Sequence, residues 1–493
     1  MSRGKKRIIW AVAACLLEVA AKTETPRAAN PGFEQLLPGG TPKSWFLQHG
    51  PGSQSFTSTK GLHAKGGRLR VSGGPAAFGS IAQKIDPAPY RGKLVRLTVL
   101  LRATAPAQAG PFLTVLRPDP YEVGFAEDDS SRSAPVGKWQ EMTISGRVAP
   151  DATAIWIGVK AIGDADVTID DVRFEHWTAR GKPPSSKALA YLDQAISILR
   201  AHHIDSAKAD WPHLISEAHT EIAGAKTPAD TYPAIRDLIG ELGERHTIFI
   251  PPPSQAQISA AAKAGPTGVV AGTEIPTFAL LDGGVGVVRL PGLDALSPGG
   301  RERAKTYPSM LREALEQLDK APLCGWIVDL RGDTGGDMWP MLAGLDPLLG
   351  ASPFGYFVNS RGTRQAWERT SGGIFPMPAQ PVAVPAGPAF ALTHAADPLA
   401  VLIGPHTGSS GEMTALAFIG RPGVRTFGGK SAGFLSGNAV YQLPDGAQLA
   451  VTEVLVQDRT GKTYGDVIDP NVFTDPDAAE AAAKTWIERQ CAK

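Results

Sequence analysis

Two adjacent serines, Ser409 and Ser410, stand where one apolar run ends and another begins. Val401-Leu402-Ile403-Gly404 reads as a buried strand that stops in a polar turn, and Met413-Thr414-Ala415-Leu416-Ala417-Phe418-Ile419 reads as a buried helix. At such a junction the hydroxyl is lifted from the core, beside backbone N–H groups that a helix start leaves unpaired. This is a setting for a nucleophile, but on this stretch alone an ordinary serine N-cap is the better reading. A serine hydroxyl needs a base near neutral pH. One histidine, His246, lies in Glu244-Arg245-His246-Thr247, where a helical stretch hands over to a strand. Taken alone, that histidine reads best as a cap on the helix dipole. A third junction, Arg331-Gly332-Asp333-Thr334-Gly335-Gly336-Asp337, follows an apolar strand. It lacks the Gly-Lys-Ser/Thr ending of a phosphate loop, but Gly335 and Gly336 suit an anion cradle of backbone N–H groups.

The elements around these residues divide the chain. Residues 1–29 comprise a signal peptide and the start of the mature chain: basic Arg3-Gly4-Lys5-Lys6-Arg7, then a short apolar stretch from Ile8 to Leu17. Two processing sites compete, a lipoprotein box ending in Cys15 and cleavage after Val19-Ala20-Ala21; the first would make Cys15 a lipid anchor. Residues 30–177 carry short, partly alternating strand runs such as Leu94–Leu101 and Ala154–Val159, separated by Gly, Pro, Asp and Ser, the pattern of an all-β sandwich. Trp45, Tyr90, Tyr121 and Trp139 could stack on sugar rings, though sandwich aromatics more often fill the core. Asp170 and Asp171 suit either a calcium site or a turn. A linker over 178–186 leads to a helical segment, 187–250, in which Ala188, Leu189, Leu192, Ala195, Ile196 and Leu199 recur at helical spacing. From 251 to 480 strands and helices alternate as in an α/β domain, and 481–493 form a C-terminal helix or tail.

Composition narrows the function classes. A chain of 493 residues needs more than one domain. A net charge of +1 with 20% charged residues argues against a nucleic-acid platform. No later apolar run reaches the roughly 18 residues of a membrane-spanning helix. After the signal only Cys324 and Cys491 remain, free to pair but specifying nothing by their separation. No metal-ligand spacing is present, and neither a metal nor a cofactor is expected.

Five pieces in order resemble the S41 family of serine peptidases, the C-terminal-processing and tricorn-core group. They are Leu242-Gly243-Glu244-Arg245-His246-Thr247, the strand Gly284–Leu290, Asp329–Gly336, Gly408-Ser409-Ser410-Gly411-Glu412, and Phe427–Gly433 followed by Leu443-Pro444-Asp445-Gly446. The resemblance covers about residues 185–480 and implies a crotonase-like β/α spiral core that cleaves peptide bonds through a serine acyl-enzyme. Carried over, it makes Ser409 the nucleophile, with Ser410 as runner-up, Glu412 the acid of the Ser-x-x-Glu pattern, and Ser410, Gly335 and Gly336 the oxyanion donors. One branch of the family uses a lysine as base; the matching position here is Phe434, with Lys430 nearby. The other uses the histidine of the His-Thr motif, which is His246. That branch has a serine before its histidine, where this chain has Arg245, and a glutamate in a closing loop that here reads Tyr464-Gly465-Asp466, so Asp466 is the candidate to orient the imidazole. The stretch from Pro251 to Val285 is too short for a PDZ domain. Asn30–Glu34 and Val167–Glu175 resemble the ends of jelly-roll carbohydrate-binding modules. The resulting expectation is an exported, secreted or periplasmic serine peptidase acting on peptides or proteins. The sandwich would touch glycan or cell wall. An inactive, ligand-binding relative is the alternative.

Overall fold

A computed structural model of the chain describes residues 27–38, 40–62, 65–74, 77–118, 123–128, 134–177, 183–252, 275–293, 298–369 and 391–491. The expected signal segment with Cys15, Tyr121 and the middle of the expected linker lie outside these residues.

Ten strands form the N-terminal part: β1 (Phe46–His49), β2 (Ser53–Lys60), β3 (Lys65–Ser72), β4 (Phe78–Ile85), β5 (Leu94–Ala103), β6 (Gln108–Leu116), β7 (Val123–Asp128), β8 (Gln140–Arg147), β9 (Ala154–Ile162) and β10 (Ala165–His176). They make two antiparallel sheets, ordered β1-β4-β9-β6-β7 and β2-β3-β10-β5-β8. The alternation along each strand sends Ile81, Leu97, Val99, Leu113, Ile155, Ile157 and Ile169 into one shared core. Trp45 and Tyr90 belong to that core and are 2% and 0% exposed, so they are unavailable to a sugar. Trp139 is half-buried under the Arg102 guanidinium. Asp170 sits at a bulge within β10, where its carboxylate accepts the N–H groups of Leu62 and Asp171. Among the described residues no cluster of three metal-binding side chains is present.

The helical segment holds α1 (Ser186–His202), α2 (Trp211–Glu221) and α3 (Tyr232–Glu241). Ser185 caps α1 through the Ala188 N–H, and the predicted apolar stripe is buried apart from Leu189, which is half-exposed. Arg147, at the end of β8, bonds Glu217 and Glu221 on α2 and so joins the sandwich to this segment.

The α/β core follows. In order its elements are β11 (Ile248–Ile250), β12 (Thr277–Leu281), β13 (Val285–Arg289), α4 (Pro298–Asp319), β14 (Gly325–Asp329), α5 (Met338–Leu349), β15 (Gly355–Asn359) and β16 (Arg364–Ala366). They continue with β17 (Leu399–Ile403), α6 (Ser410–Leu416), β18 (Val424–Gly428), β19 (Ser436–Gln442), β20 (Gln448–Asp458), β21 (Thr463–Tyr464), β22 (Val472–Phe473) and α7 (Ala479–Cys491). One sheet runs β12-β13-β14-β17-β18-β22 and is parallel except at β12. β14 and β17 are buried along their whole length, as strands covered on both faces must be. A second sheet runs β11-β20-β15-β16, with β19 and β21 also on β20. Both glycine loop and serine turn leave the C-terminal ends of adjacent parallel strands, β14 and β17. Thr407 locks those ends together, its hydroxyl donating to the Leu330 carbonyl at 2.8 Å.

α7 returns across the parallel sheet, burying Ala479, Ala483 and Ile487 against Val287, Ile327 and Leu402. Cys491 at its end bonds Cys324 beside β14, across 167 residues of chain. A cross-link closing so long a loop is worth about 2–5 kcal/mol. Replacing both cysteines by serine should lower the melting temperature while leaving the far-UV circular dichroism unchanged; an unchanged melting temperature would contradict this.

Candidate active site

Ser409 adopts φ 51° and ψ −115°, a left-handed conformation rare outside glycine. It costs on the order of 1–3 kcal/mol and persists only where surroundings impose it. Here α6 starts at the next residue, the Ser409 N–H donates to Glu412 Oε2 at 2.8 Å, and the Gly408 N–H donates to the Asp333 carbonyl at 3.0 Å. The turn thus presents the partly exposed Ser409 and withdraws its neighbour. Ser410 is buried, its hydroxyl donating to the Gly336 carbonyl at 2.7 Å. Of the two serines, Ser409 has the accessible oxygen.

The glycine loop lies directly against it. A Cβ at Gly335 would stand 2.8 Å from Ser409 Cβ, and one at Gly336 would stand 1.8 Å from the Leu293 carbonyl oxygen. Both glycines have φ above 110°, so close approach and backbone conformation each exclude a side chain. The Gly335 N–H is engaged by Asp333 Oδ1 at 3.0 Å, which removes it from the expected oxyanion donors. Of that expected set, Gly336 and Ser410 remain.

Glu412 is fully buried. Its carboxylate accepts N–H groups from Ser409, Gly433 (2.8 Å) and Phe434 (2.7 Å) and faces the Ser431 hydroxyl. Burial pushes its pKa up, and these donors pull it back. Its position makes it a clamp that joins the serine turn to the loop before β19. Phe434, the end of that loop, packs its ring 5.5 Å from the His246 ring and under the Arg245 guanidinium.

His246 follows Gly243, whose φ of 74° ends the α3 region. Glu244 fixes the turn, its two carboxylate oxygens accepting the N–H groups of His246 and Thr247 at 2.8 and 2.7 Å. His246 Nδ1 lies 2.9 Å from Ser436 Oγ, and Ser436 in turn donates to Glu244 Oε1 at 3.4 Å. In that arrangement the proton sits on Nδ1, and Nε2 is the acceptor. Burial lowers the pKa of His246, while the Glu244 charge and Ser436 oppose the shift. Phe434 packs against the His246 ring and lies 3.6 Å from a Cβ built on Gly408, and among the described residues no hydrogen bond joins His246 to Ser409.

Asp466, expected to orient the imidazole, is exposed and lies with Arg245 near Gly433; the Nδ1 position is held by Ser436 instead. Tyr464, in the same loop, is tied to Asp458. Lys430 is 61% exposed and pairs with Asp469 at 3.3 Å. Sequence reasoning missed Ser436 and Glu244. The signal for Glu244 was present, a carboxylate two residues before the histidine; Ser436 lies 190 residues downstream and carries no local mark. A cleft of about 810 Å³ opens beside Glu244, Arg245, Ser436, Gly433 and Asp466, within the usual range for a ligand site.

The chain is similar to several known proteins. Residues 284–473 match the model of peptidase family S41. The nisin-resistance protein of Lactococcus lactis subsp. lactis is 29% identical over 316 residues, covering 62% of this chain and 89% of that protein. The structure of a lipoprotein from Streptococcus agalactiae superposes with a TM-score of 0.51 at 21% identity, covering 62% of this chain and 97% of its own. A xylan-binding domain from Paenibacillus barcinonensis covers 29% of this chain and 90% of its own, with a TM-score of 0.23 and 12% identity.

Replacing Ser409 by glycine should relieve the left-handed conformation and raise stability by about 1 kcal/mol, read as a higher melting temperature, while removing the reactive hydroxyl. A lower melting temperature would show that the turn is unstrained.

Proposed function

We propose that this chain, a serine-type peptidase of family S41 through residues 284–473, cleaves peptide bonds outside the cytoplasm through an acyl-enzyme on Ser409, with His246 as general base. The observation that carries the proposal is the Glu244–Ser436–His246 chain of hydrogen bonds. It supplies what the missing glutamate and preceding serine would otherwise supply: a fixed ring, a defined tautomer and a negative charge to stabilise the imidazolium. Ser409 Oγ attacks the substrate carbonyl carbon as His246 Nε2 takes its proton. The oxyanion forms beside the N–H groups of Ser410 and Gly336. The C–N bond then breaks as His246 returns the proton to the leaving amine. Water repeats the sequence on the ester, releasing the carboxylic acid and Ser409.

The Cys324–Cys491 disulfide supports export to an oxidising compartment, where such bonds persist. The similar Streptococcus agalactiae protein is a lipoprotein, which supports acylation of Cys15. Contact between the sandwich and glycan is favoured by one outward row. Phe46, Ala82, Gly158 and Phe112 are cross-strand neighbours; Ala82 and Gly158 are covered, Phe46 is 55% exposed, and the half-buried Trp156 stands 6.3 Å from it. Aromatic faces interrupted by small residues suit the apolar side of a sugar ring.

A phosphonate probe should label the wild type, and Ser409→Ala and His246→Ala should not be labelled, whereas Lys430→Ala should. Absent labelling of folded wild type would favour the inactive scaffold, and loss in Lys430→Ala would give the base role to the lysine. Ser436→Ala should lower kcat by about 100-fold with little change in KM, the cost of a misplaced base. Because burial depresses the His246 pKa, the rate should rise with pH through a value below the ordinary 6.5. Glu244→Gln removes a charge that opposes that depression, so the rising limb should move lower still. A limb unmoved by Glu244→Gln would detach Glu244 from the base.

Retention of the full chain on insoluble polysaccharide, tested with Phe46→Ala/Trp156→Ala, checks the glycan contact. Retention lost in the double variant supports it; retention unaltered by the variant, or none in the wild type on any glycan tried, contradicts it.

A further inference from the structure

Asp333 lies beneath the serine turn with no exposed surface. Its backbone carbonyl accepts the Gly408 N–H, its Oδ1 accepts the Gly335 N–H, and a Cβ on Gly411 would lie 2.8 Å from its carboxyl carbon. It therefore touches the chain on both sides of Ser409 and holds the loop that lies against Ser409 Cβ. Its other oxygen, Oδ2, is buried with no hydrogen-bond partner. A buried oxygen in that state is expensive as half of an anion and tolerable as the hydroxyl of a neutral acid.

Among the described residues no cation partners it. From α4 comes the Tyr307 phenol, which donates to the Pro291 carbonyl at 2.9 Å. α6 brings Gly411 against it, and the acid of that helix, Glu412, is committed to Ser409, Gly433 and Phe434. Within the same loop, Arg331 is spent on Asp329 at 2.7 Å, and Asp337 caps α5 through the Trp339 N–H. Desolvation accordingly pushes the Asp333 pKa up to about 8, with only the Gly335 N–H opposing it.

We propose that Asp333 is a positioning residue that works as a neutral acid, its carbonyl oxygen fixing Gly335–Gly336 against Ser409, and that its ionisation shuts down acylation. This rests on the acyl-enzyme reading above. The ionised form would place an uncompensated negative charge behind the loop that must receive the negative charge of the tetrahedral intermediate. Two like charges on either side of one loop oppose each other, and the protein interior screens them weakly. Asparagine is the neutral isostere: it keeps the acceptor for Gly335 and cannot ionise.

The test is the rate of phosphonate labelling of Ser409 across pH 6–10, corrected for hydrolysis of the probe. In the wild type the rate should fall above pH 8, by about 30-fold at pH 9.5 for a group of that pKa. Asp333→Ala, which deletes the acceptor, should be slow at every pH. Asp333→Asn should restore the rate at pH 6.5 and abolish the alkaline fall. An alkaline fall that persists in Asp333→Asn, or no fall in the wild type, overturns the proposal, and the wild-type profile decides even where a variant fails to fold. Absence of wild-type labelling at pH 6.5 would instead defeat the acyl-enzyme reading itself.

Discussion

The site depends on one buried carboxylate. Glu412 gathers the N–H groups of Ser409, Gly433 and Phe434 into a single point beneath α6. Each of these donors belongs to backbone that would otherwise be free to choose another conformation. Ser409 pays for its left-handed geometry through this contact and through Gly408 bound to Asp333. The far side of the clamp is equally consequential, because Phe434 is the surface on which His246 packs. Nucleophile and base come from parts of the chain that share no sheet: Ser409 follows the parallel β17, and His246 precedes the antiparallel β11. Glu412 is where the two layers are brought to a common register.

Burial sets the electrostatics around that point. Glu412, Asp333 and Asp337 are all pushed upward because the interior disfavours their charged forms, and each is stabilised chiefly by backbone N–H groups. His246 is pushed downward by the same cause. The consequence is a region short of fixed charge, in which a developing oxyanion interacts strongly with the few dipoles aimed at it. Glu244 is the exception, placed behind the imidazole where a negative charge helps a base to hold a proton.

Much of this was legible in the chain. The strand–turn–helix junctions around Ser409 and Gly335 and the helix–turn–strand junction at His246 are local patterns, and local patterns survive in sequence. The helix stripe from Ala188 to Leu199 and the alternating sandwich strands are legible for the same reason. What failed was what depends on distant pairing. Ser436 reaches His246 only because β19 pairs with β20, which pairs with β11. Asp466 lies near Gly433 but on the Arg245 side of the loop, a distinction that no spacing encodes. The aromatics of the sandwich divide likewise: strand register points Phe46 outward, and Trp45, one residue earlier, inward. Asp333 was legible as part of a glycine-rich loop, but its lack of any partner for Oδ2 is a property of the packed core.

The central claim is that Ser409, the Gly336 and Ser410 N–H groups and a Ser436-held His246 act on one substrate carbonyl. A crystal structure of the phosphonate adduct tests it most directly. The account predicts a covalent bond to Ser409 Oγ, a phosphonyl oxygen within hydrogen-bond reach of both N–H groups, and His246 Nε2 turned toward the leaving-group side with Nδ1 still on Ser436. An adduct on Ser410, or a phosphonyl oxygen turned to solvent with His246 released from Ser436, would contradict it.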